Sequence, residues 1–273
     1  MAYSDNQATI GTGKTEVEAA VPRVNELARL TRPGSTMQSS TTALFDELER
    51  FMLSTCFTLD MERNPVARLL PTVSTVVLRR VLLQYSFFSR DIVSLLERAR
   101  SSLGVWETVR VELDRNICEE LGSSTAGVPH YELLRQGILE EYRVDLATTR
   151  ADPQTTEFIA FCYGCMIDHG PAYTAGSVYA LEATASAEIT VLQHLACELS
   201  IRELGRPIPR KGLLFKFLHC HVHDFEPEHK RGLEVALAAC LGELQFGAFT
   251  EGFRVILGAM DRWWSALAVD SNS

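Results

Sequence analysis

From about residue 41 onwards, apolar residues recur at spacings of three and four, which is typical of amphipathic α-helices. Leu78, Val81, Leu82, Tyr85 and Phe88 form one such stripe. The β-branched residues are scattered along the chain rather than grouped in alternating runs, so a sheet is not indicated. The pattern predicts an all-α protein, a single bundle-like domain of about seven to nine helices.

Glycine and proline mark the ends of several of these helices. Pro153 opens one of them, and Gly205, Pro207 and Pro209 end the longest. This longest helix is predicted over residues 175–204, and others are predicted over residues 104–122, 130–148, 212–225, 228–242 and 248–267. In this scheme residues 38–268 form the helical domain.

The two ends of the chain lack this pattern. Residues 1–37 are polar, contain several glycines and prolines, and are predicted to be a flexible leader. Residues 269–273 form a short C-terminal tail. The first residues show neither the basic start nor the hydrophobic core of a secretion signal. Seven cysteines without a framework spacing indicate reduced thiols, and a cytoplasmic location is expected.

The composition of the chain argues against some classes of binding partner. Apolar residues make up 46% of the chain and charged residues 22%, as in ordinary soluble proteins. The formal net charge of −9 argues against nucleic acids and anionic membranes, because both attract basic surfaces. No apolar run approaches the ~20 residues of a membrane span. Neither nucleic acid nor a membrane is therefore expected as a partner.

Acids and histidines form the candidate chemistry. Glu120 and His130 make a first group, and Glu182 lies further along in a run of small and apolar residues. A second group packs six such residues into one short stretch: His219, His221, His223, Asp224, Glu226 and His229. Imidazole and carboxylate together suit iron, manganese or zinc.

The first group has a geometry that favours convergence. Apolar residues three and seven positions before Glu120 place its carboxylate on the core-facing stripe. Glu119 is turned about 100° away. Gly122 ends this helix, and Pro129 starts the next one with His130 in its first turn. The alternative is a solvated terminal acid beside a core histidine.

In the second group, Glu226 and His229 are three residues apart and share a helix face. A third ligand is expected one turn earlier, and His221 misses that position by one residue. The ring of Pro227 clashes with the carbonyl of His223 and deletes a hydrogen bond. A π-type bulge there would absorb the extra residue and bring His221 into line.

Other residues of this segment remain alternatives. A regular helix would align His219, rather than a bulged position, with Glu226 and His229. Asp224 is the alternative acid, and His219 or His223 could support the ligands from outside. We favour the bulged arrangement.

Together these residues resemble the haem-oxygenase-like dimetal oxidases, relatives by fold of haem oxygenase and the thiaminase-like proteins. The matching pieces follow the family's order and span roughly residues 80 to 240: residues 116–122 with His130, 176–182, and 221–229. The family's usual last element is His-x3-Asp-x2-His. Here that element is one residue longer and has Glu226 in place of the aspartate.

The resemblance implies a haem-oxygenase-like helical bundle that holds two Fe2+ ions, or one iron with a labile partner, and reacts with O2. It implies no catalytic residue beyond the metal ligands. It assigns those ligands to Glu120, His130, Glu182, His221, Glu226 and His229. An external electron donor is implied as a partner, and a homodimer is left open.

Members of this family oxidise free amino acids or fatty acids by N-oxygenation, desaturation, carbon–carbon cleavage or ring closure. The N-oxygenases of this family look to carry one further carboxylate, which comes from the helix before the first ligand helix. Asp91 and Glu97 are the nearby acids here, but Ile92 and Leu95 occupy the centre of that stripe. We therefore favour desaturation or cyclisation of a small free amino acid in the biosynthesis of a specialised metabolite.

Two further questions stay open at this stage. Arg135 and Lys216 are candidate anchors for a substrate carboxylate, because arginine in particular grips two oxygens at once. A thiaminase-like or PqqC-like cofactor-handling protein without two metals is a second function class, and it would need Cys118 or Cys165 as a nucleophile. A helical interaction protein is a third class.

Overall fold

The structure is a computed structural model, and it describes residues 35–167 and 169–269. The described part is helical and contains no strand. Its α-helices are α1 (Ser35–Thr55), α2 (Thr75–Ser102), α3 (Glu107–Glu120), α4 (His130–Tyr142), α5 (Pro153–Cys165), α6 (Pro171–Leu204), α7 (Leu213–Cys220), α8 (Glu226–Ala238) and α9 (Phe246–Leu267).

A π-helical turn, His221–Phe225, joins α7 to α8, so the two run on as one continuous helix. Within the described residues this makes eight helical rods, which confirms the all-α prediction of seven to nine helices. The sequence-based boundary between residues 225 and 228 is wrong, since α8 begins directly after the π turn.

Other boundaries differ by a few residues. The helix predicted to reach residue 148 ends at Tyr142, because Arg143 adopts a left-handed conformation with φ 57°. A separate 3-10 turn follows at Leu146–Thr148. α1 already begins at Ser35, inside the predicted leader. Residues 1–34 and 270–273 lie outside the described residues, so the rest of the leader and the tail stay predictions.

α6 is the longest of the described helices and lies at the centre of the fold. It begins with Pro171 at its first position, where a missing N–H costs no intrahelical hydrogen bond. It packs against α2, α8 and α9. Its small residues let neighbours approach, and larger ones such as Leu192 and Leu195 are fully buried between them.

α6 and α9 touch through their backbones. A Cβ added at Gly176 of α6 would collide with the carbonyl of Phe249 in α9, and one added at Gly252 would collide with the carbonyl of Tyr173. Glycine is therefore required on both sides of this crossing. The contact anchors the first half of α6, which leads directly to Glu182.

All seven cysteines are free thiols. None of the helices in the described residues is both long and apolar enough to cross a membrane. The cytoplasmic location remains a prediction.

Candidate metal centre

The six side chains predicted as ligands meet in the interior of the bundle. Each of them is no more than 8% exposed. They are Glu120 at the end of α3, His130 at the start of α4, Glu182 in α6, His221 in the π turn, and Glu226 and His229 in α8. Residues from well-separated parts of the chain thus lie together in the interior.

Five of these residues form two overlapping groups. Glu120, His130 and His221 each offer a nitrogen or oxygen atom, and these atoms lie within 4.8 Å of one another. Glu120, Glu226 and His229 form a second group at the same spacing. Glu120 belongs to both. The arrangement therefore provides two adjacent three-ligand sites with one shared carboxylate.

The π turn places His221 in the first of these groups. The N–H of Glu226 donates to the carbonyl of His221, five residues earlier, which is the hydrogen bond of a π-helix. The bulge predicted from Pro227 is thus present. The His221 ring donates from Nδ1 to the carbonyl of Phe217 at 2.7 Å, which leaves Nε2 free for a ligand.

The alternatives in the same segment lie outside the cluster. His219, His223 and Asp224 are exposed. The rings of His219 and His223 contact each other on the outer face, with centroids 4.5 Å apart. The regular helix that would have turned His219 inwards does not occur, because the π turn rotates the segment.

His229 is held from both sides. Its Nε2 donates to Glu119 Oε2 at 2.9 Å, and Arg115 Nη1 donates to Glu119 Oε1 at 2.6 Å. Its Nδ1 lies 3.3 Å from Glu182 Oε2 and 3.8 Å from Glu226 Oε2. A carboxylate behind a histidine is the usual support for a metal-binding imidazole, since it fixes both tautomer and ring orientation.

The buried carboxylates of the cluster would be stabilised by a bound cation. Burial and the neighbouring Glu182 carboxylate raise the pKa of Glu226 well above its usual value. Burial lowers the pKa of His221 to about 4. Burial would also lower the pKa of His229, but hydrogen bonds to Glu119 and Glu182 raise it to about 11. Carboxylates crowded in a buried site are stabilised by a metal ion.

His130 provides the test of whether a metal fits. Both of its ring nitrogens are buried and make no hydrogen bond to the described residues, although Nδ1 lies 3.2 Å from Glu120 Oε1. Its ring stacks on Phe225, with centroids 4.6 Å apart. An imidazole buried without partners is costly, and metal binding would satisfy it. The residues present therefore fit a metal with nitrogen and oxygen ligands, such as iron, manganese or zinc.

A narrow cavity of about 40 Å³ adjoins the cluster. Five of the six predicted ligands line it, namely Glu120, Glu182, His221, Glu226 and His229. The remaining wall is mostly apolar: Phe88, Ile92, Leu96, Leu181, Phe217 and Met260. A volume of this size accommodates about three water molecules.

The predicted substrate anchors do not reach this cavity. Arg135 Nε donates to Glu132 Oε2 at 2.8 Å on the surface of α4, and its Nη1 lies 3.9 Å from Asp145. Lys216 is exposed on α7, whereas the next residue, Phe217, points inwards. Neither basic side chain lines the cavity, so the structure gives no support to their role as carboxylate anchors.

Two acids near the site were not recognised from the sequence. Glu119 was placed away from the ligands, yet it supports His229 from behind. Glu188 lines the cavity and is only 1% exposed. The available signal for Glu188 was the same as for Glu182, an acid within a run of small and apolar residues.

The fold and this sequence have known relatives. Residues 42–270 match a family described as a domain of unknown function with a solved structure, DUF3865. A crystal structure of a CADD-like protein of unknown function from Nostoc punctiforme is 31% identical, with a TM-score of 0.78, and covers 84% of this chain and 97% of its own. A second crystal structure of that protein gives 30% identity and a TM-score of 0.76.

More distant structures share the fold alone. A TenA homologue from Pyrococcus furiosus is 10% identical with a TM-score of 0.56, covering 85% of this chain and all of its own. A TenA homologue from Pseudomonas syringae is 12% identical with the same TM-score, covering 84% of this chain and 91% of its own. A comparison with curated proteins found no match. The chain belongs to the DUF3865 family, and its helical fold is that of the CADD-like and TenA proteins.

Proposed function

We propose that the protein is a non-haem oxidase that binds two ferrous ions and uses O2 to oxidise a small free amino acid, by desaturation or cyclisation. The observation that carries this proposal is the pair of buried three-residue groups that share Glu120. A single structural metal would need one such group. Two adjacent groups beside a cavity are better suited to a reaction.

The residues would divide between the two ions. His130 and His221 would hold one ion, and Glu226 and His229 the other, with Glu120 common to both. Glu182 lies beside His229 and would complete the second site. Iron held in this way would supply the activation of O2.

The protein itself would orient the metal ligands and keep water away from the substrate. The backbone carbonyl of Phe217 and the carboxylate of Glu119 fix the rings of His221 and His229. The apolar cavity wall excludes bulk water from the reacting carbon. Removing two hydrogens from the substrate supplies two of the four electrons that reduce O2 to water. The external donor supplies the other two.

The cavity wall favours C–H chemistry over N-oxygenation. The further carboxylate that the resemblance implies for N-oxygenases would come from α2. Asp91 of α2 pairs with Arg90 instead, and neither Asp91 nor Glu97 lines the cavity. Apolar α2 side chains such as Ile92 and Leu96 lie there.

The class without two metals has less support. Cys118 is exposed, and Cys165 lies near Tyr173 outside the cavity wall. Neither thiol is placed to attack a molecule bound beside the acids. A haem would gain nothing from three buried glutamates.

Anaerobic loading with ferrous iron followed by metal analysis tests the proposal. We expect about two irons per chain. The loaded protein is then incubated with a panel of free amino acids, O2 and ascorbate, and products are examined by mass spectrometry for loss of two hydrogens. Haem binding, or iron content no higher than in a Glu120→Ala variant, would overturn the proposal.

A further inference from the structure

Glu188 is a buried acid in the cavity wall that the metal groups do not use. Four glutamates line the cavity among the described residues, and the other three are predicted ligands. Its Oε1 accepts a hydrogen bond from Trp264 Nε1 at 2.5 Å. Its Oε2 makes no hydrogen bond to the described part of the chain. The cavity therefore contains a carboxylate oxygen that is available to a ligand.

The imidazole of His229 in the same wall is already paired with Glu119 and Glu182 and forms no ion pair with Glu188. Neither lysine nor arginine occurs in the described wall of the cavity, and Glu188 forms no ion pair with any described residue. Burial raises its pKa to about 7; the hydrogen bond from Trp264 opposes this rise and the charge of Asp261 adds to it. A buried carboxylate without a cation is costly, and a cationic ligand would offset that cost.

We propose that Glu188 binds the ammonium group of the substrate, so that the cavity selects small primary amines, including free amino acids held by their amino end. This inference rests on the proposed function, because it names the substrate class of the same cavity. The apolar wall would surround the carbon chain, and the narrow volume restricts that chain to a few carbons. A substrate carboxylate would face the metal centre, since the described wall offers it no basic side chain.

Three probes of equal length test this inference: butylamine, 1-butanol and butanoate. Their dissociation constants are measured at pH 8 by ligand-observed NMR with the iron-free and the zinc-loaded protein. We expect butylamine to bind at least about tenfold more tightly than 1-butanol, because a charge-assisted hydrogen bond is stronger than a neutral one. Equal binding of butylamine and 1-butanol by the wild type would overturn the inference.

The Glu188→Gln variant tests the negative charge of Glu188 separately from the size of its side chain. Glutamine keeps the volume and an oxygen for Trp264, so the packing is retained. We expect this variant to lose about tenfold or more in affinity for butylamine while its affinity for 1-butanol is unchanged. Glu198→Gln is the matched control, since Glu198 lies on the same helix and pairs with Arg202 outside the cavity. A Glu188→Gln variant that binds butylamine like the control would refute the inference.

The result can be separated from that of the proposed function. The amine preference is read from binding, without iron and without turnover. Two irons per chain together with equal binding of all three probes would remove the amine site and leave the oxidase proposal intact. A protein that prefers the amine but binds no iron would keep the amine site and exclude the oxidase proposal.

Discussion

The Ser186 hydroxyl of α6 donates a hydrogen bond of 3.2 Å to the carbonyl of Val222 in the π turn. In a π-helix this carbonyl would accept from the residue five positions later, which is Pro227 and has no N–H. Ser186 therefore supplies the donor that Pro227 lacks. The same contact ties the turn that carries His221 to the helix that carries Glu182.

Pro227→Ala is expected to weaken the metal site that contains His221. Alanine restores an N–H, which lets the segment return to a regular helix and rotates His221 by about 100° relative to His229. Pro227 is exposed, so the substitution removes no core contact. The measurement is competition for ferrous iron with a colorimetric chelator, and unchanged affinity would contradict the role given to proline.

Glu119→Gln is expected to lower the affinity for iron by about tenfold to a hundredfold, which is the usual effect of losing a carboxylate behind a ligating histidine. The substitution removes the charge opposite His229 Nε2 while it preserves the size of the side chain. Glu107→Gln, on the exposed side of the same helix, serves as the control. The same chelator titration is used, and matching affinities for the two variants would show that Glu119 does not tune the metal.

Glu120→Ala and Glu182→Ala are each expected to abolish O2-dependent turnover without changing the helix content. Glu120→Ala should also lose most of the iron, because Glu120 belongs to both ligand groups. Glu182→Ala should lose less, because Glu182 belongs to neither of the two three-residue groups. O2 consumption, iron content and circular dichroism are compared with Glu198→Ala. Wild-type turnover in either variant would exclude that residue from the site.

The stability of the iron-free protein should depend on pH through Glu188. Burial raises the pKa of this acid from 4.5 to about 7, so the folded protein keeps a proton that the unfolded chain releases between these values. Stability contributed by Glu188 is therefore present below the unfolded pKa and is lost as pH rises towards 7. Relative to Glu188→Gln, the wild type should lose about 3 kcal/mol of unfolding free energy between pH 5 and pH 8. Urea unfolding of both proteins measures this difference, and a constant gap would contradict it.

Much of the centre was predictable because its cues are local. Pro227 disrupts one hydrogen bond, and the spacing from Glu226 to His229 defines one face, so the bulge followed from the order of a few residues. The inward direction of the Glu120 side chain could likewise be predicted from the apolar residues of its own helix. The direction of a side chain can be predicted from the sequence where it depends on the pattern of a single helix.

The remaining features depend on how helices pack against one another. Glu119 points away from Glu120, but α8 lies against α3 on that side and brings His229 to it. The pairing of Arg135 with Glu132, three residues earlier on the same helix, is by contrast a local cue that the sequence analysis did not use. Glu188 is rotated from Glu182 by a third of a turn, and its inward position follows from Trp264 on a distant helix.

The anchoring of α6 against α9 has a consequence for which molecules can react. Glu182 and Glu188 are six residues apart on this one rigid rod, a separation of about 9 Å along its axis. If Glu188 binds the amine as proposed, its distance from the metal ligand Glu182 is therefore fixed by this helix. A homologue that handles a longer molecule would have to move its anchoring acid by whole turns, since the glycine crossing leaves the rod no freedom to slide.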